Sequence, residues 1–201
     1  MSEGNVQGDL MANLDSEDLV KTTIQNVVAS VNLRSKIRLE EAASKLPAET
    51  QVNYIPEQFP GLVIKIKIPK VTCLVFKSGK MVITGAKSTT IIREGVTAAI
   101  ELLNTTGHNI SDNPSIEIQN IVASGNIGAK INLELAALLL DSLYEPEQFP
   151  GLIYRMEEPK VVLLLFQNGN LVITGAKKEE YVNESIEKIR TILADLDALD
   201  E

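Results

Sequence analysis

The chain carries the same pattern of residues twice, and this internal repeat limits its possible folds more than any other feature. Three segments recur in the same order: residues 24–30 return as 118–124, residues 56–62 as 146–152, and residues 82–87 as 172–177. The offset is 94 residues for the first segment and 90 for the other two, so the second copy lacks four residues between the first and second segments. Two copies this similar are expected to fold alike and to pack about an approximate twofold axis.

Each copy predicts the same order of secondary structure: a strand, a helix, several antiparallel strands and a second helix. In the first copy, hydrophobic periodicity and turn residues predict strands at 24–31, 62–68, 71–76 and 80–84 and helices at 39–46 and 88–103. Glycine, asparagine and proline gather near residues 105–115, which predicts the linker between the copies. The only histidine, His108, lies in this linker and is expected to be a surface loop residue.

Negative charge is concentrated at the two ends of the chain. Residues 1–23 carry five acidic side chains and one lysine, residues 191–201 carry four acidic side chains and no base, and the formal net charge of the whole chain is −8. The body between them is therefore neutral, and both ends are expected to be solvated, flexible acidic tails. The predicted organisation is a tail at 1–21, repeats at 22–110 and 111–195, and a second tail at 196–201.

Composition and spacing argue against several classes of protein. No run of about 18 apolar residues is present, so no membrane span is expected, and the N-terminus lacks the pattern of a signal peptide. Cys73, the single cysteine, lies in an apolar run and is expected to be a small buried residue in a reducing, intracellular setting. No spacing typical of a nucleophile, a metal site or a phosphate loop is visible, so no catalytic residue, metal or cofactor is predicted.

Alternation along the predicted strands leaves one face of the sheet uncovered. In the strand at 71–76, Leu74 and Phe76 share one face while Cys73 and Val75 share the other. Both faces are apolar, yet the two helices of each copy are enough to cover only one. The second face is then either an exposed apolar binding surface or a surface covered by a third layer or a partner chain.

The four phenylalanines of the chain form two equivalent pairs. Phe59 and Phe149 each lie in a Pro-Glu-Gln-Phe-Pro-Gly turn, an unusual place for a core residue, and Phe76 and Phe166 each end a strand on the uncovered face. A single phenylalanine of this kind would be better explained as ordinary core. Two matched pairs at symmetric ends of a surface instead suggest the apolar wedges with which minor-groove proteins kink DNA. Asparagine and threonine near the middle of the face suit the acceptors of A·T pairs.

At these motifs the chain resembles the TATA-box-binding protein family of the archaeal type. The resemblance extends over about residues 22–195 and rests on three motifs, each present twice and in order: Gln-Asn-Ile/Val-Val-Ala-Ser, Pro-Glu-Gln-Phe-Pro-Gly-Leu and Val-Ile-Thr-Gly-Ala-Lys. It implies an α+β fold shaped like a saddle, in which a curved antiparallel sheet of about ten strands carries four helices on its convex face. It also implies two pseudo-twofold repeats and a non-enzymatic general transcription initiation factor.

The resemblance assigns DNA-binding roles to three groups of residues. The intercalating group is Phe59, Phe76, Phe149 and Phe166. The central polar residues and the apolar lining of the groove are Asn26, Asn120, Thr84, Thr174, Val28, Val82, Leu74, Val122, Val172 and Leu164. The phosphate-facing bases are Lys65, Arg155, Lys87 and Lys177.

The resemblance also implies the partners of the protein. These are the minor groove of TATA-box promoter DNA, which the protein kinks, then transcription factor B, and RNA polymerase indirectly. The turn containing Glu145, Glu147 and Gln148 matches the docking site for transcription factor B. Homodimerisation of the free protein through its exposed face stays open, and the expected location is the cytoplasm, in association with the nucleoid. One departure is that Asn170 stands where the first copy has Lys80, which removes a candidate phosphate contact.

Two other classes of function stay open from the sequence alone. The first is an enzyme or ligand-binding domain on a related curved sheet, for which Glu40, Glu41, Glu57 and Glu147 are the candidate paired carboxylates. The second is a relative that has lost TATA specificity and acts through protein partners, against which the intact asparagines and threonines argue. The acidic tails also allow two interpretations, repulsion of non-specific DNA or plain solubilisation.

Overall fold

The computed structural model describes residues 22–200, so the predicted N-terminal tail at 1–21 lies outside the described residues. The first repeat consists of β1 (Thr22–Asn32), α1 (Leu39–Lys45), β2 (Gln51–Asn53), β3 (Leu62–Ile66), β4 (Val71–Val75), β5 (Lys80–Ala86) and α2 (Thr89–Thr105). The second consists of β6 (Ser115–Asn126), β7 (Lys130–Ile131), α3 (Leu133–Leu139), β8 (Ser142–Leu143), β9 (Leu152–Met156), β10 (Val161–Leu165), β11 (Asn170–Ala176), α4 (Glu179–Asp195) and β12 (Leu199–Asp200).

The main sheet is antiparallel and symmetric about its centre. Its strand order is β2-β3-β4-β5-β1-β6-β11-β10-β9-β8, so each strand of one repeat has its counterpart at the same distance from the middle. The two repeats meet where β1 pairs with β6, and Val27 opposite Ile121 marks this junction. The predicted ten-stranded saddle with four helices and two repeats is confirmed.

One face of the sheet packs against the helices. In β4 the buried side chains alternate with half-buried ones, and Cys73 is fully buried among the former. Burial raises the pKa of the Cys73 thiol to about 12, so the prediction of an unreactive core residue agrees with its surroundings. Helix α2 approaches the sheet closely at Gly95, where a Cβ atom would lie 2.8 Å from Ile83 Cδ1. The helices therefore cover this face and leave the opposite face of the sheet to solvent.

Most predicted elements are present, with ends shifted by a few residues. The strand expected at 62–68 ends at Ile66, because residues 67–70 form the turn into β4. Helix α2 begins at Thr89, since the preceding Ser88 acts as its N-cap and its Oγ accepts a hydrogen bond from Ile91 N at 3.1 Å. The short strands β2, β7, β8 and β12 were not predicted, because two or three residues show no usable periodicity.

The C-terminal segment differs from the predicted solvated tail. Leu199 and Asp200 pair with β7, and Ala198 is fully buried. The carbonyl of Ala198 also accepts a hydrogen bond from Asn132 N at 2.9 Å. The acidic residues in this segment alternate with apolar ones, and the apolar ones close the second repeat against the start of α3.

The prediction that His108 is a surface residue is wrong. Its side chain is only 7 % exposed, and its Nε2 accepts a hydrogen bond from Arg38 N at 3.0 Å. Its Nδ1 lies 2.8 Å from Thr106 Oγ1, which itself donates to Leu103 O at 2.6 Å, so Nδ1 is the protonated nitrogen of a neutral ring. The linker thus closes the first repeat against α1 at the position where Ala198 closes the second.

Among the helices of residues 22–200, none combines the length and the apolar character needed to cross a membrane.

Candidate nucleic-acid interface

The apolar residues predicted to line a groove lie together on the sheet face that the helices leave uncovered. Each is half-buried, whereas its neighbours along the strand are fully buried against the helices. Cross-strand pairing brings Leu74 beside Val82 in the first repeat and Leu164 beside Val172 in the second. At the centre, Val28 lies opposite Asn120, and by symmetry Asn26 lies opposite Val122. The sequence-predicted set is therefore one continuous surface that spans both repeats.

The phenylalanines form one pair at each end of this surface. The ring centroids of Phe59 and Phe76 are 5.8 Å apart with the planes at 65°, and those of Phe149 and Phe166 are 5.9 Å apart at 68°. Such edge-to-face contacts hold aromatic rings in a defined relative orientation. Phe59 and Phe149 remain 36 % and 37 % exposed, which is unusual for rings of this size. Each end of the surface therefore presents a preorganised aromatic edge.

A glycine beneath each ring pair makes this arrangement possible. A Cβ atom on Gly151 would lie 2.7 Å from Cε1 of Phe149 and 3.0 Å from Cε1 of Phe166. On Gly61 it would lie 2.6 Å from Cε1 of Phe59. The glycine that ends each Pro-Glu-Gln-Phe-Pro-Gly motif thus provides the space that the phenylalanine pair occupies.

The central asparagines are held by a backbone group that fixes the direction of their amides. Asn26 Oδ1 accepts a hydrogen bond from Gly85 N at 2.8 Å, and its Nδ2 lies 3.1 Å from Thr84 Oγ1. In the second repeat, Asn120 Oδ1 accepts from Gly175 N at 2.7 Å. A backbone N–H can only donate, so the atom facing it must be the amide oxygen. The NH₂ group is consequently the donor end of each amide, and it donates one hydrogen bond to Thr84 Oγ1 in the first repeat and to Thr174 Oγ1 in the second, at 3.1 and 3.3 Å.

The β-bulge next to each asparagine carries a residue that the sequence argument missed. The pairing of β1 with β6 skips Gln25 between Ile24 and Asn26, and it skips Gln119 at the equivalent place. Gln25 Nε2 donates to Ser124 Oγ at 2.8 Å, and Gln119 Nε2 donates to Ser30 Oγ at 2.9 Å. Strict alternation assigns these glutamines to the wrong face, since a bulge adds one residue to one strand.

The outer strands add further apolar residues to the surface. Val63 pairs with Leu74, and Ile153 pairs with Leu164, so each extends the lining towards the end of the saddle. Leu143 is 55 % exposed and lies opposite Ile153 on the edge strand. The alternation of residues 62–68 places Val63 on this face, whereas a two-residue edge strand is too short to predict the position of Leu143.

The predicted bases lie at the rim of the surface. Lys65 and Arg155 are exposed and pair with the face positions Thr72 and Val162. Lys87 and Lys177 follow directly after β5 and β11 and are also exposed.

The rims of the two repeats differ in charge. Lys65, Lys67 and Lys70 line a cavity of about 290 Å³ at the first rim, and Arg155, Glu157 and Lys160 line one of about 890 Å³ at the second. A glutamate in the second repeat thus replaces a lysine of the first, which makes the first rim the more basic one.

The turn predicted to bind a protein partner lies between β8 and β9. Glu145, Glu147 and Gln148 are all exposed there. The carbonyl of Glu145 accepts hydrogen bonds from Gln148 N and Phe149 N, both at 2.9 Å. The same backbone bonds that shape this turn therefore also position Phe149.

The sequence matches the model of a known protein family. The model described as "Transcription factor TFIID (or TATA-binding protein, TBP)" matches residues 21–106 and 115–196. The chain belongs to the TATA-binding protein family. Because this is a family of transcription factors, the prediction of a non-enzymatic protein is confirmed.

Curated relatives agree with this assignment along most of the chain. The TATA-box-binding protein of Sulfurisphaera tokodaii is 51 % identical over 177 residues, which is 88 % of each chain. That of Pyrodictium occultum is 50 % identical over 186 residues, or 92 % of each chain. Among solved structures, Methanococcus jannaschii TBP matches with a TM-score of 0.79 and 43 % identity, covering 87 % of this chain and 99 % of its own.

Proposed function

We propose that this member of the TATA-binding protein family binds the minor groove of TATA-box promoter DNA with the uncovered sheet face. The two phenylalanine pairs kink the DNA, and the complex recruits transcription factor B and, through it, RNA polymerase to form the preinitiation complex. The observation that carries this proposal is the joint placement of two aromatic pairs at the ends of one apolar surface and two oriented amides at its centre.

The centre of the surface is suited to read A·T pairs. In the minor groove, A·T and T·A present only acceptors, whereas G·C adds the donor N2 amino group of guanine. An amide NH₂ group is always a donor, and it is the end of Asn26 and Asn120 left for DNA because Gly85 N and Gly175 N already engage the amide oxygens. With a G·C pair at the centre, the guanine N2 amino group would face an asparagine NH₂ group. Both groups are donors, so the face discriminates against G·C.

The ends of the surface are suited to separating two adjacent base pairs of the DNA. Minor-groove proteins insert apolar side chains between bases and offset the unstacking cost by wrapping the bent duplex around more protein surface. Phe59 and Phe149 are exposed enough to enter a step, and Phe76 and Phe166 support them at about 6 Å centroid separation. The apolar lining between the ends then contacts the widened groove.

The net charge of −8 is compatible with this mode of binding. Part of the affinity arises from apolar contact and from the deformability of the DNA rather than from phosphate charge alone. The phosphate contacts come from the local bases at the rim, chiefly Lys65, Lys87, Arg155 and Lys177, all of which are exposed.

The partner and the location follow from the same proposal. Transcription factor B docks on the turn that contains Glu145, Glu147 and Gln148, whose exposed carboxylates attract a basic surface. The protein acts in the cytoplasm at the nucleoid. In the absence of DNA, the apolar face is the surface through which two copies would associate.

A titration against two duplexes tests the proposal. One fluorescent duplex carries a TATA-like box, and the other carries the same bases in scrambled order at equal A·T content. Energy transfer between dyes at the two ends reports bending. The proposal predicts tight binding with bending on the first duplex only, and equal binding to both without bending would refute it.

A further inference from the structure

Helices α1 and α3 are equivalent in the two repeats but differ on their outward faces. Both have seven residues, and both bury the first and fourth side chains, Leu39 and Ala42 in α1 and Leu133 and Ala136 in α3. The fold therefore requires the same two buried side chains in both helices. This shared packing does not account for a difference between their exposed side chains.

The outward face of α1 is polar and internally paired. Its positions three, six and seven are Glu41, Ser44 and Lys45. Lys45 Nζ lies 2.6 Å from Glu41 Oε1, and Arg38 also pairs with this carboxylate. These two bases lower the pKa of Glu41 to about 2, so the face stays charged at any physiological pH.

The same three positions of α3 are leucines. Leu135, Leu138 and Leu139 follow the i, i+3, i+4 spacing that places residues on one side of a helix. Leu138 is 82 % exposed and Leu139 is 53 % exposed, whereas Leu135 is partly buried. We call these three residues the leucine face. Leu135 packs partly against the core, whereas α1 folds with Ser44 and Lys45 at the positions of Leu138 and Leu139, so the fold of α3 does not require these two leucines. Exposed neighbouring leucines are typical of a binding surface.

The charges around the leucine face indicate what it binds. Glu134, Asp141, Glu145 and Glu147 are all exposed on or after α3, and Lys130 is the only base between residues 130 and 148. An apolar patch with an acidic rim is complementary to apolar residues flanked by lysine or arginine. DNA, an anionic membrane and a second copy of the same acidic surface are all negatively charged, so this patch does not suit them.

The leucine face is also close to the acidic turn at 145–148. Glu145 follows Leu139 by six positions, so their Cα atoms are at most about 22 Å apart. A helix of about fourteen residues has this length, so one helix is able to contact both places.

We propose that the leucine face docks an amphipathic helix of the protein that binds the acidic turn, and that this helix carries apolar side chains flanked by basic ones. The inference rests on the proposed function, since it gives the partner of that turn a second, apolar contact. It also explains why the two ends of a symmetric fold recruit a partner asymmetrically. In the first repeat the equivalent helix is polar, and Ile55 stands where the second turn has Glu145.

The test uses purified transcription factor B and the full chain bound to a bent TATA duplex. The variant Leu138→Ser plus Leu139→Lys gives α3 the residues that α1 already carries, so the helix is expected to fold. Binding and bending of DNA should stay unchanged, while the affinity for transcription factor B should fall roughly tenfold. An affinity within about twofold of the unmodified chain would overturn the inference.

A matched variant in the first repeat controls for non-specific adhesion. Ser44→Leu plus Lys45→Leu creates a leucine face on α1, and we expect no gain in binding of transcription factor B, because Lys36 and Arg38 offset the acidic residues there and Ile55 stands in place of Glu145. If this variant instead raised the affinity for transcription factor B by as much as the α3 variant lowers it, any exposed leucines would attract the factor, which would also overturn the inference. If the unmodified chain fails to bend the TATA duplex, the proposed function fails and the inference falls with it.

Photo-crosslinking provides a second, independent measurement. A photoreactive side chain placed at position 138 should crosslink to transcription factor B in the complex with DNA, whereas the same group at position 44 should not. Because Leu138 is 82 % exposed, this replacement leaves the core intact. Crosslinks from neither position would count against docking at α3.

Discussion

The side-chain oxygen of Asn120 accepts a hydrogen bond from the backbone N–H of Gly175 at 2.7 Å. The equivalent pair in the first repeat, Asn26 and Gly85, has the same bond at 2.8 Å. Gly85 and Gly175 have φ angles of 95° and 91°, a region that other residues rarely adopt. The glycine of each Thr-Gly-Ala-Lys motif therefore has a physical role, which is to aim its N–H at the asparagine oxygen and so fix which end of the amide accepts and which donates.

Exchanging the central amide for a carboxylate should weaken binding strongly. Asn120→Asp keeps the oxygen that Gly175 bonds but replaces the donor with a second acceptor, which faces the acceptors of A·T pairs. We expect a loss of about 1–3 kcal/mol in binding, to be measured by fluorescence titration with the TATA duplex. Asn109→Asp, the same exchange at an exposed linker position, should have little effect. Equal losses from both variants would show that the added negative charge alone is responsible.

A single methyl group beneath the second ring pair should uncouple bending from folding. In Gly151→Ala the new Cβ would meet Phe149 Cε1 at 2.7 Å, so this ring must rotate away. Phe149 lies at the surface and is 37 % exposed, so we expect the melting temperature to change little while DNA bending decreases. Circular dichroism and energy transfer measure the two quantities. A large loss of stability without any change in bending would contradict a wedge role for this ring pair.

Removing a rim base should reduce the salt dependence of binding. Each phosphate contact contributes about 0.9 to the slope of log K against log salt concentration. Lys65→Ala and Arg155→Ala should each lower the slope by about this amount. Arg93→Ala removes an exposed base from α2 in the helix layer and should leave the slope unchanged. Identical slopes for all three variants would exclude specific phosphate contacts at the rim.

Replacing the buried histidine should destabilise the fold without touching the DNA face. His108→Leu removes the acceptor of the Arg38 N–H and the partner of Thr106 Oγ1. An unsatisfied buried donor costs about 1–3 kcal/mol, which equilibrium unfolding in urea can measure. The neighbouring exposed residue provides the control, since Asn109→Ala should change the free energy of unfolding by about 0.5 kcal/mol or less. No difference between the two variants would mean that the histidine contacts do not stabilise the linker.

The cysteine should resist modification until the protein unfolds. The folded-state pKa of Cys73 is about 12, well above the ordinary value, so almost no thiolate exists at pH 8. A colorimetric thiol reagent should therefore react slowly at pH 8 in buffer and rapidly in denaturant. Fast reaction in buffer would show that the strand β4 opens readily.

The repeat and the strand alternation were sufficient to predict the sheet and the face that the helices leave uncovered. Residues such as Leu74 and Val82 lie on that face because a strand has a strict period of two, and an internal copy of each motif confirms the assignment. The sequence could not indicate Gln25 and Gln119, since a bulge breaks the period without leaving a mark in composition.

Long-range contacts account for the other errors. His108 is polar and lies among turn residues, yet Arg38, 70 positions earlier, supplies the donor that allows its burial. Ala198 lies in an acidic segment, and its burial depends on pairing between β12 and β7. Neither partner is detectable from local pattern, because each comes from a distant part of the chain.

The most direct test of the central claim compares bending by three proteins on one TATA duplex. Phe149→Ala plus Phe166→Ala removes one ring pair, and Ile68→Ala removes an equally apolar side chain that is 90 % exposed away from the rings. The account predicts that end-to-end energy transfer and affinity fall sharply for the double variant and stay unchanged for Ile68→Ala. Unchanged bending and affinity in the folded double variant would contradict the claim that the phenylalanine pairs kink the DNA.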